Sequence, residues 1–131
     1  MKHLKYALVG AFLMQMAAVS AQARDMYLGE IFMFGGTFCP RGTAAAEGQL
    51  LAISEYSALF ALLGTIYGGD GRTTFGLPDL RGRVPLGQGA GPGLPAYLMG
   101  QSGGTSLQSQ GGGYLTVRYC VALEGIFPSR S

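Results

Sequence analysis

The stretch TIYGGDGRTTFGLPDLRGRVPLGQG, Thr65 to Gly89, decides how this chain is read. Its glycines invite comparison with phosphate-cradling loops. A P-loop, however, follows its glycines with lysine and then serine or threonine. Gly68-Gly69-Asp70-Gly71-Arg72 offers neither, and the Asp70 carboxylate would repel a phosphate. A dinucleotide fingerprint sits between a strand and a helix, whereas these glycines follow a predicted helix. Neither a nucleotide nor any other cofactor is expected. What remains is the set Asp70, Arg72, Asp79, Arg81 and Arg83. Aspartate carboxylates satisfy backbone amides in tight turns, and arginine forks bind carboxylates and loop carbonyls. The set is therefore read as a lattice that fixes an irregular loop in one shape. The functional alternative makes the same five residues a ligand-binding set, with Arg81 and Arg83 facing outward toward an anionic or sugar ligand.

Upstream of this loop the chain reads as short strands and one helix. Gly29 to Gly36 is a short strand ending in a turn, with apolar residues on both faces and hence an expected sandwiched position. Thr43 to Glu47 is ambiguous, and a strand entering the Glu47-Gly48 turn fits better than a helix. Gln49 to Ile53 is a further strand. Ser54 is the expected N-cap of the helix, Glu55 lies in its first turn, and Gly64 ends it. Tyr56, Leu59, Phe60, Leu62 and Leu63 form its apolar face. Downstream, Tyr67, Phe75, Leu77, Leu80, Val84, Leu86 and Leu94 are expected to anchor packed loops, and Ser102 to Gly113 to be the most mobile part. Leu115, Val117, Tyr119, Val121 and Leu123 alternate with other residues as a strand with one inward face. The fold class is α+β, a small single domain of short strands and one helix with long ordered Gly-rich loops.

The first residues speak to compartment. A basic start, Met1 to Lys5, precedes the apolar run Tyr6 to Ser20 and the small-residue exit Ala21-Gln22-Ala23. These are the parts of a secretory signal peptide over 1–23, leaving a domain over 24–131. The apolar run is shorter than the roughly 20 residues that span a bilayer, so no membrane association is expected after cleavage. Both lysines and the single histidine lie in the leader. The remaining chain balances its arginines against an equal number of acids, which leaves no basic surplus for nucleic acid. Cys39 and Cys120 form an even pair in an exported chain and read as a disulfide; two separate buried thiols are the alternative.

Without histidine, serine or cysteine nucleophiles lack their usual base. Glu47, Glu55 and Asp79 show no spacing that singles out a glycosidase pair. Asp70 and Asp79 are too few hard ligands for a calcium loop, so no metal is expected. The chain does not read as an enzyme.

Several motifs occur in order: Gly29-Glu30-Ile31, Pro40-Arg41-Gly42, Gly48-Gln49-Leu50-Leu51 and Ala58 to Gly64. They continue with Tyr67 to Phe75, Leu77 to Pro85 and the ending Ala122 to Ser129. Together they closely resemble the phage tail collar domain family, in particular its bacterial branch of microcystin-dependent proteins. The resemblance implies a structural protein of tail fibres or bacterial surfaces, not an enzyme. Two departures stand out. Thr43 replaces the common tryptophan, and Ala46 the cysteine that relatives place before Gln-Leu-Leu. The Cys39–Cys120 pair then looks like a substitute brace. A longer histidine-containing stretch of many relatives is also missing after Gly103-Gly104-Thr105.

The expected function is a secreted or cell-surface structural and adhesive protein, a subunit of a fibre or surface assembly, with periplasmic residence as a variant. Self-association by strand addition, through residues 24–34 or the last strand, is the expected mechanism. The alternative is a monomeric carbohydrate- or receptor-binding module in which Tyr67, Tyr97 and Tyr114 join Arg81 and Arg83.

Overall fold

The computed structural model describes residues 25–104 and 111–131. The expected signal peptide over 1–23 lies outside them, as do residues 105–110 of the segment expected to be mobile. Among the described residues no helix is long and apolar enough to cross a membrane. The elements are β1 (Ile31–Phe34), β2 (Thr43–Ala45), β3 (Leu50–Ala52), α1 (Ser57–Leu63), β4 (Thr74–Gly76), β5 (Gly89–Ala90), β6 (Ala96–Tyr97) and β7 (Arg118–Ala122). The α+β class holds.

The last strand is the centre of the main sheet, whose order is β1-β7-β2. Both pairings are antiparallel, with Phe32 opposite Cys120 and Ala44 opposite Val121. The backbone bonds flanking the strands show how β7 serves two partners. Ala122 N donates to Glu30 O at 2.9 Å on the β1 side, while Ala46 N donates to Tyr119 O and Leu123 N to Gly42 O on the β2 side. Antiparallel ladders alternate in this way, so even-numbered residues of β7 bond β1 and odd-numbered ones bond β2. The disulfide Cys39–Cys120 closes across a sequence separation of 81 and ties the segment after β1 to this central strand.

Leu28, Ala46, Leu59, Phe75, Leu77 and Val121 form the core cluster. Val121 brings in the sheet, Leu59 the helix, and Phe75 and Leu77 the Gly-rich loop. Phe60 of α1 stacks on Phe75 with ring centroids 5.6 Å apart and tilted by 51°. Burying each large aliphatic or aromatic side chain contributes about 1.5–3 kcal/mol. With so few of them, the covalent brace weighs heavily in the balance.

Four expectations change. The helix begins at Ser57, not after Ser54, and Tyr56 occupies the cap position with no side-chain cap bond. The amides of Glu55 and Tyr56 instead both donate to Ala52 O at 3.2 Å, so a turn leaving β3 consumes the residues expected to start the helix. Gly64 does end it, its amide donating to Phe60 O at 2.8 Å. Second, β1 is not sandwiched: it is an edge strand, and Ile31 and Met33 are exposed. The strand covered on both faces is β7, where Cys120, Val121 and Ala122 are all fully buried. Third, β7 is shorter than the alternation suggested. Tyr114 and Leu115 are exposed and lie outside it, because β1 pairs only with residues 118–121. Fourth, of the expected loop anchors Phe75 and Leu77 are buried and Tyr67 and Leu80 half-buried, but Val84, Leu86 and Leu94 are exposed.

Candidate functional site

The five predicted site residues fall into two groups, each built around one aspartate. The first is a turn made possible by Gly69, at φ +90°. A Cβ there would lie 2.3 Å from Phe75 Cα and 2.6 Å from Thr74 O, so the loop closes on β4 only where a side chain is missing. Asp70 fills the turn. Its Oδ1 accepts from Arg72 N at 2.8 Å, Thr73 N at 2.8 Å and Thr74 N at 3.0 Å. Its Oδ2 accepts from Thr73 Oγ1 at 2.9 Å. Bonds from the amides of Thr74, Thr73 and Arg72, then the Thr73 hydroxyl, hold the Asp70 carboxyl well below the usual carboxylate range. Arg72 contributes its amide; among the described residues its guanidinium has no partner.

The second group is organised by Asp79, which faces Glu47 across an antiparallel bridge. Leu80 N donates to Ala46 O at 2.9 Å and Leu77 N to Gln49 O at 3.0 Å, so residues 77–80 run alongside 46–49. Gly48, at φ +73°, permits the approach: its missing Cβ would stand 3.2 Å from that of Asp79. Arg81 grips the Asp79 carboxylate in a fork, Nε to Oδ1 and Nη2 to Oδ2, both at 2.9 Å. Its amide adds a bond to Oδ1 at 3.1 Å. Arg83 Nη1 donates to the Asp79 carbonyl at 2.9 Å and lies 3.7 Å from Oδ2. The Arg81 side chain, then its amide, lowers the Asp79 pKa to about 2. No hydrogen bond or ion pair joins the two groups among the described residues. Among the described residues, both aspartates and the Arg81 and Arg83 guanidinium groups make bonds within the loop.

Arg81 and Arg83 also line an open groove of about 740 Å³. Its other walls come from Glu47, from Tyr114 to Tyr119 and from Met33 on β1. Of the aromatic residues expected to join the arginines, Tyr114 does so, while Tyr67 and Tyr97 lie elsewhere. Two residues outside the predicted site set shape the groove. Arg118 Nη1 lies 3.8 Å from Glu47 Oε1, and its Nε is buried without a partner among the described residues. Nothing in the sequence relates these two positions; only the β2–β7 pairing brings them together. A groove with three arginines and paired acids can hold a shape or a weakly anionic surface. No group of three or more potential metal-ligating side chains occurs among the described residues.

Residues 29–85 match the family model of the phage tail collar domain. The match spans β1 to β4, the helix and both aspartate turns, and stops before the β5–β6 hairpin and β7. It does not distinguish the microcystin-dependent branch. No curated protein matches the chain. A match to a collar domain suggests a structural protein of the tail-fibre kind. Over residues 29–85 the chain is similar to the phage tail collar domain.

Proposed function

We propose that the protein is an exported, non-enzymatic structural subunit of a surface or fibre assembly, adhesive at its surface, and that copies join by strand addition at β1. The observation that carries this reading is the outer edge of β1. Residues of β1 that bond β7 alternate with residues whose amides and carbonyls point away from it. Ile31 and Met33 are the outward pair. Natural sheets blunt such edges with charge, proline or a bulge. The β1 sequence Ile-Phe-Met-Phe has none of these. The last strand cannot serve, since both of its edges are already paired. Nor can residues 26–29, because Leu28 N donates to Ile126 O at 2.9 Å and Leu28 sits in the core.

Export fits the leader-like N-terminus, and a disulfide fits an oxidising compartment. A monomeric glycan- or receptor-binding module would use the groove. Arg81 and Arg83 are bonded to Asp79 there, which favours the structural reading. The test is Met33→Pro, which removes an outward amide and spares the β7 ladder, alongside Ile31→Lys, which places a charge on the edge. Sedimentation should show a loss of strand-mediated association in both, with unchanged circular dichroism. Association equal to that of the parent in both variants removes the mechanism.

A further inference from the structure

From Val84 to Val117 the sequence contains no charged side chain and no histidine. Soluble small domains usually carry charge on about 25–35% of their surface residues. This arm is nonetheless ordered over its described residues. β5 and β6 pair as a hairpin with Gly89 opposite Tyr97. Leu94 N donates to Gly91 O at 3.0 Å, and Gln101 Oε1 accepts from Leu98 N at 2.9 Å. Gly100 lies against the turn after α1, where a Cβ would come within 2.6 Å of Ile66 Cγ2. The arm is held in place while its apolar side chains face outward. Val84, Leu86, Leu94, Leu98, Tyr114 and Leu115 are between 53% and 87% exposed. Together they present on the order of 700 Å², near the roughly 800 Å² per partner of a standard interface. Val84, Tyr114 and Leu115 line the groove that Met33 also lines, so this apolar surface runs into the open edge of β1.

We propose that this uncharged arm, residues 84–104 and 111–117, is a second contact surface, and that its occupant is another copy of this chain. The inference rests on the structural-subunit reading but not on strand addition. Chemistry selects the occupant. Nucleic acid, or a peptide of one charge, is recognised through opposite charge; the arm carries none, and at the groove it borders, Arg81 and Arg83 are paired with Asp79 and Arg118 lies against Glu47. A lipid-inserting surface pairs apolar groups with a flanking basic face and interfacial tryptophan; the arm carries no Lys or Arg, and the chain has no tryptophan. Two copies of an uncharged apolar surface meet without like-charge repulsion and without burying an ion.

Hydrogen exchange on the chain as recovered from cells, at dilute and concentrated conditions, tests this directly. We expect concentration-dependent protection of the arm, retained in Met33→Pro. A Leu94→Glu, Leu98→Glu double variant, folded by circular dichroism, should self-associate at least about tenfold more weakly, because each glutamate would be buried unpaired. Protection at 31–34 with none in the arm overturns this inference and leaves strand addition standing. Protection in the arm with none at 31–34 does the reverse. A chain that stays monomeric yet floats with uncharged phosphatidylcholine vesicles overturns the proposal in favour of a lipid surface. Monomers that bind no vesicle remove both contact surfaces.

Discussion

Reducing the Cys39–Cys120 bond should unfold most of this domain under conditions where the oxidised form is intact. The bridge spans a sequence separation of 81, for which chain-entropy bookkeeping gives up to about 4.5 kcal/mol. A domain of this size has a total stability on the order of 5–15 kcal/mol, and the core here is small. The bond also joins the two parts least able to find each other, since β1 and β7 lie at opposite ends of the described chain. Urea unfolding followed by circular dichroism, with and without a phosphine reductant equilibrated through the transition, measures the effect. At a slope of about 1.5 kcal/mol per molar, the midpoint should fall by about 3 M on reduction. Reduction leaves both sulfurs in place, so no cavity confounds the comparison; Cys120 is fully buried, and an alanine there would create one. Midpoints agreeing within about 0.3 M would refute the reasoning, and would mean that the packed strands alone hold the ends together.

Gly69→Ala should destabilise the domain by about 3 kcal/mol or more, since its Cβ meets backbone atoms of Phe75 and Thr74 that cannot step aside. Gly87→Ala, with open space around it, should change the melting temperature little, within about 0.5 kcal/mol; equal effects in the two variants would discredit the loop geometry. Phe75→Ala removes a fully buried ring that contacts Phe60 and should cost about 3–5 kcal/mol in chemical denaturation. Asp70 and Asp79 both have folded pKa values below the ordinary 3.8, Asp79 at about 2. Their contribution is therefore fully present above pH 4 or so, declines below the unfolded value and is lost as pH falls through the folded one. Thermal melts between pH 2 and 6 should show this acid limb, and Asp70→Asn with Asp79→Asn should flatten it; an unchanged limb would show that other carboxylates set it.

The parts of the fold legible in the sequence are those fixed by local chemistry. Asp70 followed by glycine, arginine and two threonines specifies its own turn, because one carboxylate can reach the next amides without help from the rest of the chain. The apolar face of α1 is legible from the spacing of Leu59, Phe60, Leu62 and Leu63, all packed on the core. Its start is not, because Ser54 caps a helix only when the amides two and three residues on are free for its hydroxyl, and here the Tyr56 amide is spent on Ala52 O in a turn. Cysteine pairing brings the two ends of the domain together, but not the order β1-β7-β2, which depends on contacts remote in sequence. Alternation across Leu115 and Val117 reads as strand whether or not a partner strand is present. The exposure of Val84, Leu86 and Leu94 has the same origin: apolarity marks a side chain that leaves water, and does not say whether its own core or a neighbour receives it. Within the candidate site, the bonds of Asp79 to Arg81 and Arg83 follow from nearness in sequence, whereas the Glu47–Arg118 contact waits on the sheet.

Export and oxidation together underlie the proposal of an extracellular or envelope structural subunit. Intact mass spectrometry of the protein recovered from the periplasm or medium, without reductant and after an alkylating quench, reads both at once. A chain beginning at Arg24 and carrying no alkyl group on either cysteine is the predicted product. A chain recovered only from the cytoplasm, with residues 1–23 still attached and both Cys39 and Cys120 alkylated, would contradict it.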